Sequence, residues 1–279
     1  MKRILILLSS VCLLLTACHS DKVKQFKTYP ASGEQCYMLL FEDNDFPMGD
    51  SISVSNSYSV VWPADGMMTP DAMRQLMFLY FGDSTAASAE EASSRWLEDT
   101  SLYTDWNAKI LKVNSVDSSR EYGYSHVEGT CRQDSTLATF LAKGEYFSPG
   151  AAHGIYTADY LTIDVETGNV VHLTDLVTDT NLLCEAIAHA IQDLEVNKDV
   201  RECLFDEFID AQRMPLSQNF LIDNTRSCII INYGLYEIAC YACGIQSVTL
   251  PIFWLSKHVP LTPYAKRIFG PGCSLEDNE

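Results

Sequence analysis

Residues 155–173 read Ile-Tyr-Thr-Ala-Asp-Tyr-Leu-Thr-Ile-Asp-Val-Glu-Thr-Gly-Asn-Val-Val-His-Leu, and their reading decides the fold. Ile155 to Val165 is a strand-like run, Glu166 to Asn169 is polar, and Val170 to Leu173 is apolar again. Thr-Gly-Asn between two such runs predicts a hairpin, with Gly168 free to take positive φ.

Working outward, the chain alternates groups of strands with groups of helices. Downstream, Leu183, Ile187, Ala190, Ile191 and Leu194 form one helical stripe, and Val200, Leu204, Phe205, Phe208 and Ile209 another. Phe220–Ile222 and Cys228–Ile231 flank Asp223-Asn224-Thr225, a second hairpin signal. Gln246–Leu250 reads as a further strand, and Pro251–Leu255 starts a short closing helix. Upstream, Lys109–Val113, the stretch around Tyr122–Tyr124 and Leu137–Phe147 read as a β-meander with polar turns. Before it, Thr69 is placed as an N-cap with Pro70 at the first helical position. Met73, Leu76, Met77 and Tyr80 then recur at helical spacing, and Gly82 ends the helix. A second helix is expected from about Ser88 to Glu98, and the alternation between Tyr37 and Trp62 reads as strands. Grouped strands with inserted helices imply an α+β fold, with antiparallel sheets and helices packed on one face, rather than βαβ repeats.

The N-terminus carries a different signal. Lys2 and Arg3 precede an apolar run, Ile4 to Leu15, that is too short to span a membrane. Leu15-Thr16-Ala17-Cys18 follows and resembles the lipobox of bacterial lipoproteins. Residues 1–17 are therefore expected to be a signal peptide, with lipid on Cys18 as the membrane anchor. Residues 18–36 are polar and aperiodic and read as a tether. His19 stands where sorting in two-membrane bacteria would place a retaining Asp, so the resemblance implies the outer membrane, periplasmic face first and cell surface second.

Loss of the leader removes Lys2 and Arg3 and no acid, leaving 17 basic against 37 acidic residues, a net charge of −20. Such a surface repels nucleic acid and attracts basic partners. Besides Cys12 and Cys18, the cysteines are Cys36, Cys131, Cys184, Cys203, Cys228, Cys240, Cys243 and Cys273. Cys184 and Cys228 lie in apolar runs, where buried thiols are the simpler reading. Cys240 and Cys243 make a Cys-x-x-Cys. Gly244 and an apolar strand follow it, which argues against a redox-enzyme motif. Cys228 and Cys273 are not spaced to complete a zinc site. A local or long-range disulfide is the expectation for this pair.

Two segments carry a family resemblance. One runs Tyr146-Phe147-Ser148-Pro149-Gly150-Ala151-Ala152-His153-Gly154, with Leu161–Gly168 and Leu173–Leu176 behind it. The other runs Tyr236-Glu237-Ile238-Ala239-Cys240-Tyr241-Ala242-Cys243-Gly244, with Val248–Pro251 behind it. Together they resemble the RsiV-like C-terminal domain family, the ectodomain of a lysozyme-sensing membrane anti-sigma factor. Similar domains occur beside PdaC-type peptidoglycan deacetylases and in stand-alone bacterial lipoproteins. The family commonly has Gly-Gly-Ala-His at the first motif and proline where Cys240 stands, so this chain departs at both loops. The resemblance implies an RsiV-like domain over 145–259, preceded by an N-terminal α/β subdomain over 37–144 and followed by a tail over 260–279. It also implies binding of a cell-wall-related ligand, a basic protein of the lysozyme type or a peptidoglycan fragment, through His153, Gly150, Tyr236, Glu237 and Tyr241.

From the residues alone, the small neighbours of His153 suit a tight turn, and the histidine is read first as hydrogen-bonded within it. Glu237 either accepts backbone N–H groups or points into a cleft. Glu145, Asp164, Asp175 and Glu237 are the carboxylates that could pair for glycan hydrolysis, which needs them about 5–10 Å apart. The chain contains no Gly-x-Ser-x-Gly, Walker or dinucleotide signature. A non-catalytic role with no cofactor and no metal is therefore expected, and an accessory or catalytic part in peptidoglycan modification is the alternative.

Overall fold

The computed structural model describes residues 27–30, 36–47, 52–99, 101, 121–148, 151–225 and 227–270. The expected strand Lys109–Val113, the lipobox and Gly150 lie outside them. In chain order the strands are β1 (Lys27–Pro30), β2 (Cys36–Pro47), β3 (Ile52–Pro63), β4 (Glu121–Gln133), β5 (Leu137–Phe147), β6 (Ile155–Asp164), β7 (Phe220–Asp223), β8 (Cys228–Tyr233) and β9 (Gln246–Pro251). The helices are α1 (Pro70–Phe81), α2 (Ala89–Glu98), α3 (Leu173–Leu176), α4 (Thr180–Asp193), α5 (Lys198–Cys203), α6 (Asp206–Ile209), α7 (Ile252–His258) and α8 (Pro263–Phe269). Strands β1 to β6 form one sheet in sequence order, and β7, β8 and β9 form another. The fold is α+β. Neighbouring strands are antiparallel except β3 and β4, which run parallel from the Ile52–Glu121 pair to Ser59–Glu128. Among the described residues, no helix is long and apolar enough to cross a membrane.

Period-two alternation decides which face of the large sheet is covered. Val54, Tyr58, Val60 and Trp62 of β3 are buried, as are Val127 of β4, Phe140 and Ala142 of β5, and Leu161 and Ile163 of β6. Leu76, Met77, Tyr80 and Phe81 of α1, with Ala92 and Leu97 of α2, pack on them. Thr69 caps α1 by accepting the Ala72 N–H, and Gly82 ends it in the left-handed region at φ 67°. The last carbonyls of α2 are satisfied from the sheet: the buried Asn56 amide donates to Leu97 O at 3.1 Å and Asp99 O at 3.0 Å. Tyr80 lies so close to Gly129 that a Cβ there would meet its ring at 2.5 Å.

The turn after β6 forms as the sequence predicts, with Gly168 at φ 68°. Gly168 also accepts the Thr69 N–H, and a Cβ on it would meet Met67 O at 3.1 Å. The turn therefore clasps the start of α1 against the sheet edge. The outgoing strand is shorter than expected. Only the Ile163–Val170 bridge forms before α3 begins, because Asp175 accepts the His172 N–H and starts a helical turn.

The second core is built on β8 and β9. Ile229, Ile231, Tyr233, Val248 and Leu250 pack against Leu183, Ile187 and Ile191 of α4. Burial of this kind contributes about 1.5–3 kcal/mol per large apolar side chain. The stripe Val200–Ile209 is not one helix. Leu204 adopts extended backbone to bridge Ala239, splitting the segment into α5 and α6. Asn197, fully buried, joins α4 to β9: it donates to Ala190 O and Thr249 O and accepts the Thr249 N–H. Within the span expected as a tail, Ala265, Ile268 and Phe269 of α8 belong to this core. Strand β5 crosses the expected 144/145 boundary, and the large sheet runs on through β6.

The two sheets meet along the outer edge of β6. The Asn219 side chain acts there as a strand would, accepting the Tyr160 N–H at 2.9 Å and donating to Ala158 O at 2.8 Å. It satisfies edge groups that would otherwise stay open.

Candidate functional site

Two loops converge at this seam. The first, residues 151–154, enters β6. The second links β8 to β9 and carries Tyr236, Glu237, Cys240, Tyr241 and Cys243. Its middle is pinned: Ile238 and Ala239 are buried, and Phe205 donates its N–H to Ile238 O at 2.9 Å. Its end is closed by the buried Gln246, whose amide donates to Cys243 O and Gly244 O. The residues on either side of the pinned centre are therefore displayed on a fixed frame.

Tyr241 is the hub. Its ring stacks on His153 with centroids 4.0 Å apart, and its hydroxyl donates to Gly154 O at 2.8 Å. Tyr156 meets it edge-on at 6.0 Å and Tyr236 at a tilt at 5.9 Å. Aromatic pairs in such geometries contribute about 0.5–1.5 kcal/mol each beyond area burial. Tyr236 remains 58% exposed, so the cluster presents apolar surface to solvent. Tyr236 also sits at φ 64°, a left-handed conformation that costs a side chain with a Cβ about 1–2 kcal/mol.

Of the residues proposed from sequence, His153, Tyr236 and Tyr241 are brought together. His153 is exposed, and its Nδ1 lies 3.0 Å from the carbonyl oxygen of Gly154. A carbonyl only accepts, so Nδ1 carries the proton. Glu237 takes the structural option: its Oε2 accepts the Gly234 N–H at 2.8 Å and holds the turn that displays Tyr236. Its carboxylate is nonetheless exposed beside the cluster. Cys240 and Cys243 stand as thiols with sulfurs 3.6 Å apart.

Of the carboxylates weighed as a hydrolytic pair, Asp164 and Asp175 are engaged in hydrogen bonds within the fold. Asp164 Oδ1 accepts the N–H groups of Glu166 and Thr167, and its other oxygen accepts from Tyr264 and Arg267. Asp175 caps α3. Asp159 of β6 was not legible in the sequence. Burial holds its carboxyl above the ordinary carboxylate value; a Thr157 hydrogen bond opposes this, and the Glu237 charge adds to it. Asp159 lines a groove of about 510 Å³ with Phe78, Leu79, Tyr160, His172 and Phe220. The signal that could have found it is position alone: it falls where β6 turns its edge to Asn219, whose amide donates to it at 2.9 Å. Among the described residues, no three of His, Cys, Asp and Glu are arranged to hold a metal ion.

This architecture has solved counterparts. A DUF3298 family member from Bacteroides fragilis NCTC 9343 superposes with a TM-score of 0.59 at 16% identity, over 88% of this chain and 98% of that one. In fold, the chain is similar to DUF3298 proteins. A second, from Pseudomonas aeruginosa PAO1, gives a TM-score of 0.52 at 14% identity, over 84% of this chain and 97% of that one. DUF3298 denotes a domain of unknown function, so the likeness establishes the architecture and leaves the activity open. No family model and no curated protein matches the sequence.

Proposed function

We propose that the protein is a non-catalytic cell-envelope lipoprotein, anchored through Cys18 to the periplasmic face of the outer membrane. Its RsiV-like domain binds a basic protein of the lysozyme type through the cluster around Tyr241. The observation that carries this reading is the exposed aromatic cluster of His153, Tyr156, Tyr236 and Tyr241 beside the Glu237 carboxylate. Aromatic side chains give large contact area at small entropic cost, and a carboxylate can pair with an arginine or lysine across an interface. The charge of −20 expected after processing raises encounter rates with a positive partner. A second reading, turnover of peptidoglycan fragments, draws on Asp159 and its carboxylate neighbour Glu237.

Calorimetric titration with lysozyme at low and high salt tests the proposal, with muropeptides run in parallel. Binding should weaken as salt rises, and Glu237→Gln should weaken it several-fold while leaving the unfolding midpoint in place, since the amide oxygen can still accept the Gly234 N–H. Absence of binding at low salt, or indifference to both changes, would overturn it. Cleavage of the muropeptides would replace it with the catalytic reading.

A further inference from the structure

Cys203 converges on the Cys-x-x-Cys of the β8–β9 loop, from 40 residues before Cys243 in the chain. The Leu204–Ala239 bridge and the Phe205 N–H to Ile238 O bond lash the end of α5 to the β8–β9 loop. Cys203 is thereby brought to Cys243, whose sulfur lies 3.9 Å from the Cys203 carbonyl oxygen. Cys243 in turn lies 3.6 Å from Cys240 across a 3-10 turn, Tyr241–Cys243, closed by the Cys243 N–H to Cys240 O bond. Cys240 is exposed, and the other two are half-buried. One thiol thus faces solvent with a second in reach behind it.

We propose that Cys240 and Cys243 form a reversible dithiol–disulfide site whose reactant is a disulfide-bearing thiol oxidant, and that its state sets the position of Tyr241. The Cys240 thiolate attacks one sulfur of the oxidant, the oxidant's S–S bond breaks, and one thiolate leaves and takes a proton from water. Cys243 gives up its proton and attacks the Cys240 sulfur, expelling the second thiolate. The protein loses two hydrogens, and the oxidant disulfide becomes two thiols. The order follows from the surroundings. The Cys243 thiol, together with the N–H groups of Cys243 and Ala242, holds Cys240 below the ordinary thiol value. A hydrogen bond with Cys203, then burial and the neighbouring Cys240, push Cys243 up to about 12. A lowered, exposed thiol attacks first, and a protonated neighbour resolves. Tyr241 lies between the two cysteines in sequence, so a bond of about 2 Å between their sulfurs ties together the two ends of the turn that seats its ring. The redox step stands apart from the ligand reading.

The test incubates the full chain over a series of reduced-to-oxidised glutathione ratios, alkylates the free thiols, and maps the peptide holding both cysteines by mass. Under folding conditions this peptide should lose two hydrogens and escape alkylation at oxidising ratios, and dithiothreitol should reverse the change. Cys203→Ser should leave that bridge intact, and the His153 ring resonances should shift on oxidation. Full alkylation of Cys240 and Cys243 across the series, or a bridge running to Cys203, would overturn the site. Unchanged His153 resonances would overturn its coupling to Tyr241. The bridge and its effect on His153 are both read on the wild-type chain, so they stand even where Cys203→Ser fails to fold.

Discussion

The Tyr241 hydroxyl donates to the carbonyl oxygen of Gly154 at 2.8 Å, joining two loops that are 87 residues apart in the chain. The bond holds the Tyr241 ring where His153 can stack on it, so two remote motifs become one surface.

Tyr241→Phe removes this bond and keeps the ring. The stability loss should be about 0.5–1.5 kcal/mol, the usual net worth of one hydrogen bond. Amide exchange should accelerate at Gly154 and Ile155 beyond any global change. Equal protection in the two proteins would show that the stacking alone fixes the loop.

Tyr236→Asn separates display from stability. Asparagine tolerates the left-handed backbone that Tyr236 adopts, and the relief offsets a lost ring contact of about 0.5–1.5 kcal/mol. Chemical unfolding should therefore show a change within about 1 kcal/mol, while affinity for lysozyme falls at least tenfold. A large loss of stability instead would make Tyr236 a packing residue.

Asp164 should govern much of the acid limb of stability. Burial works against its charge, but the Thr167 N–H, the Tyr264 hydroxyl and Arg267 outweigh it and hold the carboxyl below its ordinary value of 3.8. The folded state releases this proton at lower pH than the unfolded chain does. Its charge thus stabilises the fold above about pH 4 and ceases to do so as pH falls through the depressed value. Asp164→Asn should cost about 1.5–3 kcal/mol near neutrality and flatten the decline toward acid, as read by urea unfolding across pH. A variant with an acid limb parallel to that of wild type would remove Asp164 from this role.

The anchor is tested at Cys18, which lies outside the described residues. Cys18→Ser should either release the protein to the soluble fraction or leave the leader uncut. A variant that is cut and fractionates with membranes as wild type does would remove the lipid from the proposal.

Capping made much of this fold legible from sequence. Thr69 with Pro70 marks the start of α1, Gly82 its end, and Ser88 the start of α2, because each acts on backbone groups within a turn of itself. Features set by partners across the molecule were not legible. Leu204 reads as one more residue of a helical stripe, yet its bridge to Ala239 straightens it. The helix α8 is not legible in the sequence, because its apolar residues matter only once the second core exists to receive them. At the site, the motifs around His153 and Tyr241 could be picked out, but their stacking depends on the seam between the sheets. The burial of Asp159 there depends on the same seam.

The parallel pairing of β3 with β4 also sets an order of assembly. Strands β1 to β3 are linked by short connections and can pair as soon as they exist, as can β4 to β6. The joint between these two blocks must wait for a long connection, through α1 and α2, to close on itself. Until it closes, β3 is an open edge of twelve residues, Ile52–Pro63, able to pair with any other extended chain nearby. Pairing with β4 from Ile52 to Ser59 is what closes that edge, while α1 covers the face of the same sheet.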